Sequence, residues 1–261
     1  MSELLRQDDA ESSLSALERL KDPTYLPTRS ELVSTFSTYI QKKYGTDVSK
    51  YIADMERRLT YPDRFGQKTL TYEFLTQEYV DRFSEYLASR AAELNLNGRK
   101  PIVLETGAGL GRLTHFVGSK CANDFNMIAT DSGEYSSKIG IQPPFSVDII
   151  SYKDALRKYN PDIVITSWMP SGQDWSKDYR NHQSIKEYIL IGPPTERCGQ
   201  AGTWLVSSDG QHGFSRVDLQ ELGEHQIGFT DDFFDYDSIG QTKWQGDLHP
   251  STTVSFRRKD S

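Results

Sequence analysis

From residue 100 onward the chain runs in short apolar bursts, each followed by a polar stretch or by positions spaced for a helix. Ile102-Val-Leu104 comes first. Asn126–Asp131, a weaker burst at Ser146–Ile150, Asp162–Ser167, Glu187–Gly192 and finally Thr252–Phe256 follow. Continuous β-branched and aliphatic runs without polar alternation suit parallel strands covered on both faces. Between them, Leu110–Val117, Asp154–Tyr159 and Trp175–Ile185 are spaced for helices. The second of these stops at Asn160-Pro161, because proline disfavours helix in the residue before it. Alternating strands and helices predict an α/β fold, a mostly parallel central sheet with helices on both faces. Residues 193–250 are rich in Gly, Asp and other polar positions and leave the topology open there. A helix is expected about Asp218–Glu224 and a strand somewhere between Gln226 and Tyr236.

Residues 1–99 have a different texture. Residues 1–13 are polar and too poor in apolar positions to pack, so a flexible N-terminus is expected. Glu31–Ile40 and Tyr72–Leu87 carry apolar residues at helical spacing, with a loop at Thr60–Gly66 between them and a turn at Asn95–Pro101 leading into the first strand. Residues 14–99 are therefore expected to form a helical cap that covers the sheet, closes a cleft, or does both, and residues 100–261 the α/β core.

The stretch with the most chemical content is Pro101–Arg112, PIVLETGAGLGR. Glu105 ends the first strand, at the edge where open α/β sheets place their ligands. Thr106 follows, and Gly107, Gly109 and Gly111 let the loop turn sharply and bring a cofactor against the backbone. A dinucleotide loop has the form G-x-G-x-x-G and seats a pyrophosphate on the helix N-terminus. Here the form is E-x-G-x-G-x-G. A carboxylate two residues before the first glycine repels a pyrophosphate but accepts hydrogen bonds from an ammonium group. Asp131 ends the second strand 20 residues beyond Gly111, where a βαβ unit places the acid that binds ribose hydroxyls. Asp131 could instead cap the next helix, a role Ser132 could also fill.

In these residues the chain resembles the class I S-adenosylmethionine-dependent methyltransferases, whose first motif matches Glu105, Gly107, Gly109 and Gly111 position for position. The resemblance covers about residues 100–192 and implies a Rossmann-like methyltransferase fold, with S-adenosylmethionine as cofactor and S-adenosylhomocysteine as product. It implies cofactor contacts at Glu105, Thr106, Gly107, Gly109, Gly111, Asp131 and Ser132. Ser151 or Tyr152 would lie near the adenine, with Asp148 or Asp154 as a nearby acid, and Ser167 and Trp168 near the amino-acid end and the methyl group. The loop after the fourth strand borders the methyl group and the substrate in that family, which makes Trp168, Met169 and Trp175 candidates for lining the site. Both tryptophans could equally pack a helix on the sheet, and Asp174 could cap that helix or touch substrate. Tyr61, Phe65 and Tyr72 are the candidate contacts from the cap. The family has a longer helix after its fifth strand than Cys198–Trp204 allows. No Asn/Asp-Pro-Pro-Tyr/Trp sequence stands at Ser167–Pro170, which together with the acidic surface favours a small-molecule or protein substrate over a nucleic acid. The Trp168–Trp175 segment and the fifth strand are similar to those of uncharacterised fungal and plant methyltransferase-like proteins. Two rivals remain: a methyltransferase fold that transfers no methyl (a partner-binding scaffold or a cyclase), and, with less support, an NAD-dependent oxidoreductase.

Composition narrows the picture further. A net charge of −7 and a pI near 5.3 argue against a broad nucleic-acid surface. No run is apolar enough to span a bilayer and no signal-peptide pattern is present, so a cytoplasmic setting is expected. Cys121 and Cys198 form no metal or disulfide framework, and the five histidines have no metal-ligand spacing, so no metal is expected. His182 is the one histidine worth weighing as a general base. Methyl transfer from a sulfonium needs no covalent intermediate, so the missing nucleophile–base signature says little against an enzyme. Oligomeric state is not legible.

Overall fold

In a computed structural model of the chain, the bursts become seven strands of one sheet. They are β1 (Ile102–Thr106), β2 (Asn126–Asp131), β3 (Asp148–Ile149), β4 (Ile163–Ser167), β5 (Glu187–Gly192), β6 (Phe214–Asp218) and β7 (Thr252–Arg258). The structure describes residues 19, 22–35, 73–94, 96, 98–139, 142–194, 198–205, 213–226 and 251–259. The strand order is β3-β2-β1-β4-β5-β7-β6. β1 to β5 run parallel, and β7 is inserted antiparallel between β5 and β6. This is a Rossmann-like α/β fold. Its order reverses between β1 and β4, and such a switch point opens a crevice at the carboxyl ends of the two strands.

The central strands are buried on both faces, which is why they read as unbroken apolar runs. Side chains alternate between faces along a strand. Val103, Ile163, Ile165, Ile189 and Ile191 therefore join one core layer, while Leu104, Val164, Tyr188, Leu190, Val254 and Phe256 join the other. The first layer is covered by α1 (Gln77–Glu93), through Tyr79, Val80, Phe83 and Leu87, and by α2 (Arg112–Lys120), through Leu113 and Val117. The second is covered by α4 (Tyr152–Tyr159) and α5 (Ser176–Asn181); α3 (Glu134–Ile139) follows β2.

The helical boundaries depart from expectation for local reasons. The stretch Tyr72–Leu87 becomes a helix only from Gln77, because the Thr76 hydroxyl accepts the Tyr79 N–H at 3.2 Å and caps it. Trp175–Ile185 is helical only over Ser176–Asn181. Beyond it His182 is extended, and the Arg258 guanidinium donates to the carbonyls of Ile185, at 2.8 Å, and His182, at 2.9 Å, satisfying them from another strand. β6 was not foreseen. As an edge strand it buries Phe214 and exposes Ser215 and Arg216, so it lacks the apolar run that marks a central strand. The helix expected at Asp218–Glu224 shrinks to one turn, α6 (Gln220–Gly223), and a short 3₁₀ turn (Ala201–Thr203) stands after β5. The strand expected between Gln226 and Tyr236 lies almost wholly outside the described residues.

Within the N-terminal part, α1 is a layer of the core, and residues 29–35 are helical. The segment before them leans on the start of α1: the Gln77 N–H donates to the Pro27 carbonyl at 2.8 Å. It also reaches the first residue of α2, since the Arg112 guanidinium donates to the Tyr25 carbonyl at 2.9 Å.

α1 is pinned to the amino edge of the sheet by a buried ion pair. Glu187, fully buried at the start of β5, accepts from Arg90 Nε and from the Ser255 hydroxyl, each at 2.6 Å, and from the Tyr86 hydroxyl. Burial, with the Glu187 charge alongside, pushes the Tyr86 hydroxyl up to about 12. Removing one partner of a buried pair strands the other, at a cost of roughly 3–5 kcal/mol. Arg90→Ala is therefore expected to lower unfolding free energy by about that amount in a urea titration. Arg82→Ala, whose ion pair with Glu85 is exposed, should change it by less than about 1 kcal/mol.

Candidate functional site

The crevice is floored by the loop joining β1 to α2. Gly109 has φ 56°, and a Cβ placed there would meet nothing within 4 Å, so the loop faces open space at this residue. Gly111 has φ 76° for the opposite use: a Cβ would fall 2.7 Å from the Val147 side chain, so the loop closes on the β3 approach only as glycine. A left-handed conformation is costly for residues with a Cβ, which makes both positions intolerant of substitution.

Two carboxylates stand by this loop, Asp131 bonded to it and Glu105 to the helix that follows it. The Asp131 Oδ2 accepts the Gly109 N–H at 2.9 Å, and its Oδ1 accepts the Gly133 N–H at 2.8 Å. An ionised carboxyl offers about four acceptor positions, so capacity remains after these two bonds. Asp131 sets the turn after β2, while the exposed Ser132 hydroxyl accepts the Glu134 N–H at 3.4 Å. Glu105 is almost wholly buried, and its Oε2 accepts from the Thr114 N–H at 3.1 Å and the Thr114 hydroxyl at 2.5 Å. Burial pushes its carboxyl up to about 7; the Thr114 bonds oppose the shift and the Asp131 charge adds to it.

Other expected residues fall into different places. Thr106 is fully buried, and its hydroxyl lies 2.8 Å from those of Thr166 and Tyr179, which also meet at 2.8 Å. Its side chain therefore joins β1 to β4 and α5 and is not turned to a ligand. Ser151 caps α4 by accepting the Asp154 N–H at 3.2 Å. Tyr152 donates to Asp178 at 2.7 Å and stacks on Trp175 with centroids 4.4 Å apart. The edge of the Trp175 ring lies against the glycine loop, 3.2 Å from where a Cβ on Gly107 would stand. Met169 is buried in the second core layer, and its sulfur accepts the Trp175 N–H at 3.4 Å, so it supports that residue from below and does not face the crevice. Asp174 accepts the Ser176 N–H at 3.2 Å, the capping alternative. Ser167 is half-buried at the end of β4. Trp168 follows it in the left-handed region at φ 55°, with its indole Nε1 donating to Glu73 Oε2 at 2.8 Å.

The assignment of His182 needs correction. Its Nδ1 lies 3.0 Å from the Ser184 hydroxyl, which donates to the carbonyl of Pro161, just before β4. That is the amino edge of the sheet, roughly 13 Å of strand away from Ser167. Burial, assisted by the Arg258 charge, lowers its pKa, and no crevice group is within its reach to deprotonate. Tyr61, Phe65 and Tyr72 lie outside the described residues.

Two crevice residues escaped sequence reasoning. Ile149 pairs with Asp131 across β2 and β3 and is 60% exposed, an apolar side chain beside the loop acid. The short apolar run after Asp148 signalled a strand but not which side chain stays uncovered. Glu73 precedes α1 in sequence and reaches Trp168 only through the fold. Among the described residues no group of three or more His, Cys, Asp or Glu is placed to hold a metal, and no helix is long and apolar enough to cross a membrane.

No protein-family model and no curated protein matches the chain. Solved structures do. One is the plantazolicin methyltransferase BamL, in complex with a triazolic desmethylPZN analogue and SAH, at 12% identity over 97% of this chain and 99% of that one, with a TM-score of 0.41. A second is the YcgJ protein of Bacillus subtilis, at 10% identity over 69% and 100%, with a TM-score of 0.37. A third is a candidate sarcosine dimethylglycine methyltransferase from Galdieria sulphuraria, at 16% identity over 71% and 92%, also with a TM-score of 0.37.

The raised pKa of Glu105 has a measurable consequence. Between about pH 4.5 and 7 the folded chain keeps a proton on Glu105 that the unfolded chain has released, so this residue's contribution to stability falls as pH rises through that window. The loss totals on the order of 3 kcal/mol. Glu105→Gln stays neutral and keeps an acceptor for Thr114, so its stability relative to wild type should grow by about that amount from pH 4.5 to 7.5 in denaturant titrations. A constant difference across the range would mean that Glu105 ionises normally.

Proposed function

We propose that the protein is an S-adenosylmethionine-dependent methyltransferase acting on a small molecule or a protein side chain. The observation that carries this reading is the pair of acids around the glycine loop, Glu105 beneath it and Asp131 on its Gly109 N–H, at the switch point of the sheet. A pyrophosphate would meet a carboxylate on each side of that loop, which disfavours a dinucleotide. A ribose finds the remaining acceptor capacity of Asp131, and Ile149 offers an apolar surface next to it for a base. Glu105 provides the negative charge that an ammonium group needs, and the open space at Gly109 fits a ligand laid against the backbone.

When bound, S-adenosylmethionine supplies a methyl carbon already activated by the positive sulfur beside it. The residues of this chain are then left with binding, orientation and the exclusion of water. Trp168 and Trp175 present aromatic rings at the end of β4 and beside Gly107, and a cation over such a face gains roughly 0.5–2 kcal/mol.

Calorimetric titration of S-adenosylmethionine and of NADH into the purified chain decides the cofactor. Binding of the first and not the second is expected. Asp131→Ala should weaken it tenfold or more, since hydrogen bonds to a charged group are worth about 1.5–3 kcal/mol. NADH binding, or unchanged affinity in Asp131→Ala, sinks the reading. Cofactor binding without S-adenosylhomocysteine release over pools of small molecules and peptides points to the non-transferring alternative.

A further inference from the structure

We infer that Glu73 is a positioning residue, whose carboxylate fixes the Trp168 indole as a wall of the crevice. The importance of that wall rests on the methyltransferase reading; the contact itself does not.

Trp168 is one of two described non-glycine residues with positive φ, and the other, Asn160, ends a helix. A bulky residue enters the left-handed region only where its surroundings over-determine it, and such positions cluster at functional sites. The Trp168 backbone is tied to β5, its N–H donating to the Ile191 carbonyl at 2.8 Å. That bond does not set the rotation of the ring. The bond from Nε1 to Glu73 Oε2 does.

Glu73 is itself buried and held from the opposite side. Its Oε2 also accepts the Ser251 hydroxyl at 2.7 Å, and Ser251 Oγ accepts from Gln226 Nε2 at 3.0 Å. Gln226 Oε1 accepts the Thr253 hydroxyl at 2.9 Å, and that hydroxyl lies 2.9 Å from the Tyr79 hydroxyl on α1. The ring is thus referenced through a buried polar chain to α1 and β7, which are packed core, and not to the loop it belongs to. Such a route suits a site in which a small displacement of one wall costs rate.

The test follows the indole N–H resonances of the four tryptophans in the full chain by nitrogen–proton NMR, with Trp168→Phe assigning the relevant signal. Glu73→Gln should move the Trp168 signal and leave those of Trp175 and Trp204 in place. Glu73→Ala should move it further and weaken S-adenosylmethionine binding about fivefold, and the same substitution in a Trp168→Phe background should add less than about twofold. An unmoved Trp168 signal in Glu73→Gln overturns the inference, and that variant keeps an acceptor and the side-chain shape should Glu73→Ala fail to fold. An equal loss in both backgrounds also overturns it, because Glu73 would then act without Trp168. If the wild-type chain binds no S-adenosylmethionine, the cofactor reading fails, and the resonance alone decides whether Glu73 positions the ring.

Discussion

A parallel sheet sandwiched between helical layers leaves no room for chemistry along its strands. The central strands β1, β4 and β5 are buried on both faces, so a polar side chain in the middle would have to be desolvated and satisfied inside the core. Polar groups are therefore driven to the two ends of the strands. The geometry of the site, the placing of its acids and the need for glycine at the first loop all follow from that restriction.

The two edges use their carboxylates differently. At the amino edge, Asp162 takes a two-pronged bond from Arg99 and Glu187 a buried one from Arg90, so negative charge is matched by a guanidinium and the strand starts are tied to their neighbours. At the carboxyl edge, Glu105 and Asp131 are held by a threonine and by backbone N–H groups. Neutral donors fix a carboxylate in place while leaving its charge for another partner. The raised pKa of Glu105 is the cost of that arrangement, and a cation nearby would relieve it. The same distinction explains why His182, just past the helix after β4, is structural: that helix runs away from the crevice and delivers it to the edge where groups are paired for stability.

The loop after β4 shows how packing converts a hydrophobic sequence into a shaped wall. Met169 turns inward and supports Trp175, Trp175 stacks on Tyr152 and presses on the loop at Gly107, and Trp168 takes a strained backbone conformation with its N–H on the Ile191 carbonyl. Each aromatic ring is fixed by a neighbour distant in sequence.

The periodicity of the chain alone determined the central strands, because burial on both faces leaves an unbroken apolar run that survives in any reading of the sequence. It also placed the glycine loop and the two acids beside it, since their positions depend on spacing along one βαβ unit. Tertiary structure decided what depends on partners far away. β6 is an edge strand whose half-exposed side chains carry no such run. α5 ends at Asn181, where His182 turns extended and Arg258, more than 70 residues on, satisfies the carbonyls of His182 and Ile185. Thr106 and Met169 point into the core because strand alternation and loop packing, not residue type, choose their direction. Glu73 reaches Trp168 across 95 positions of chain, a contact that exists only once α1 has docked on the sheet.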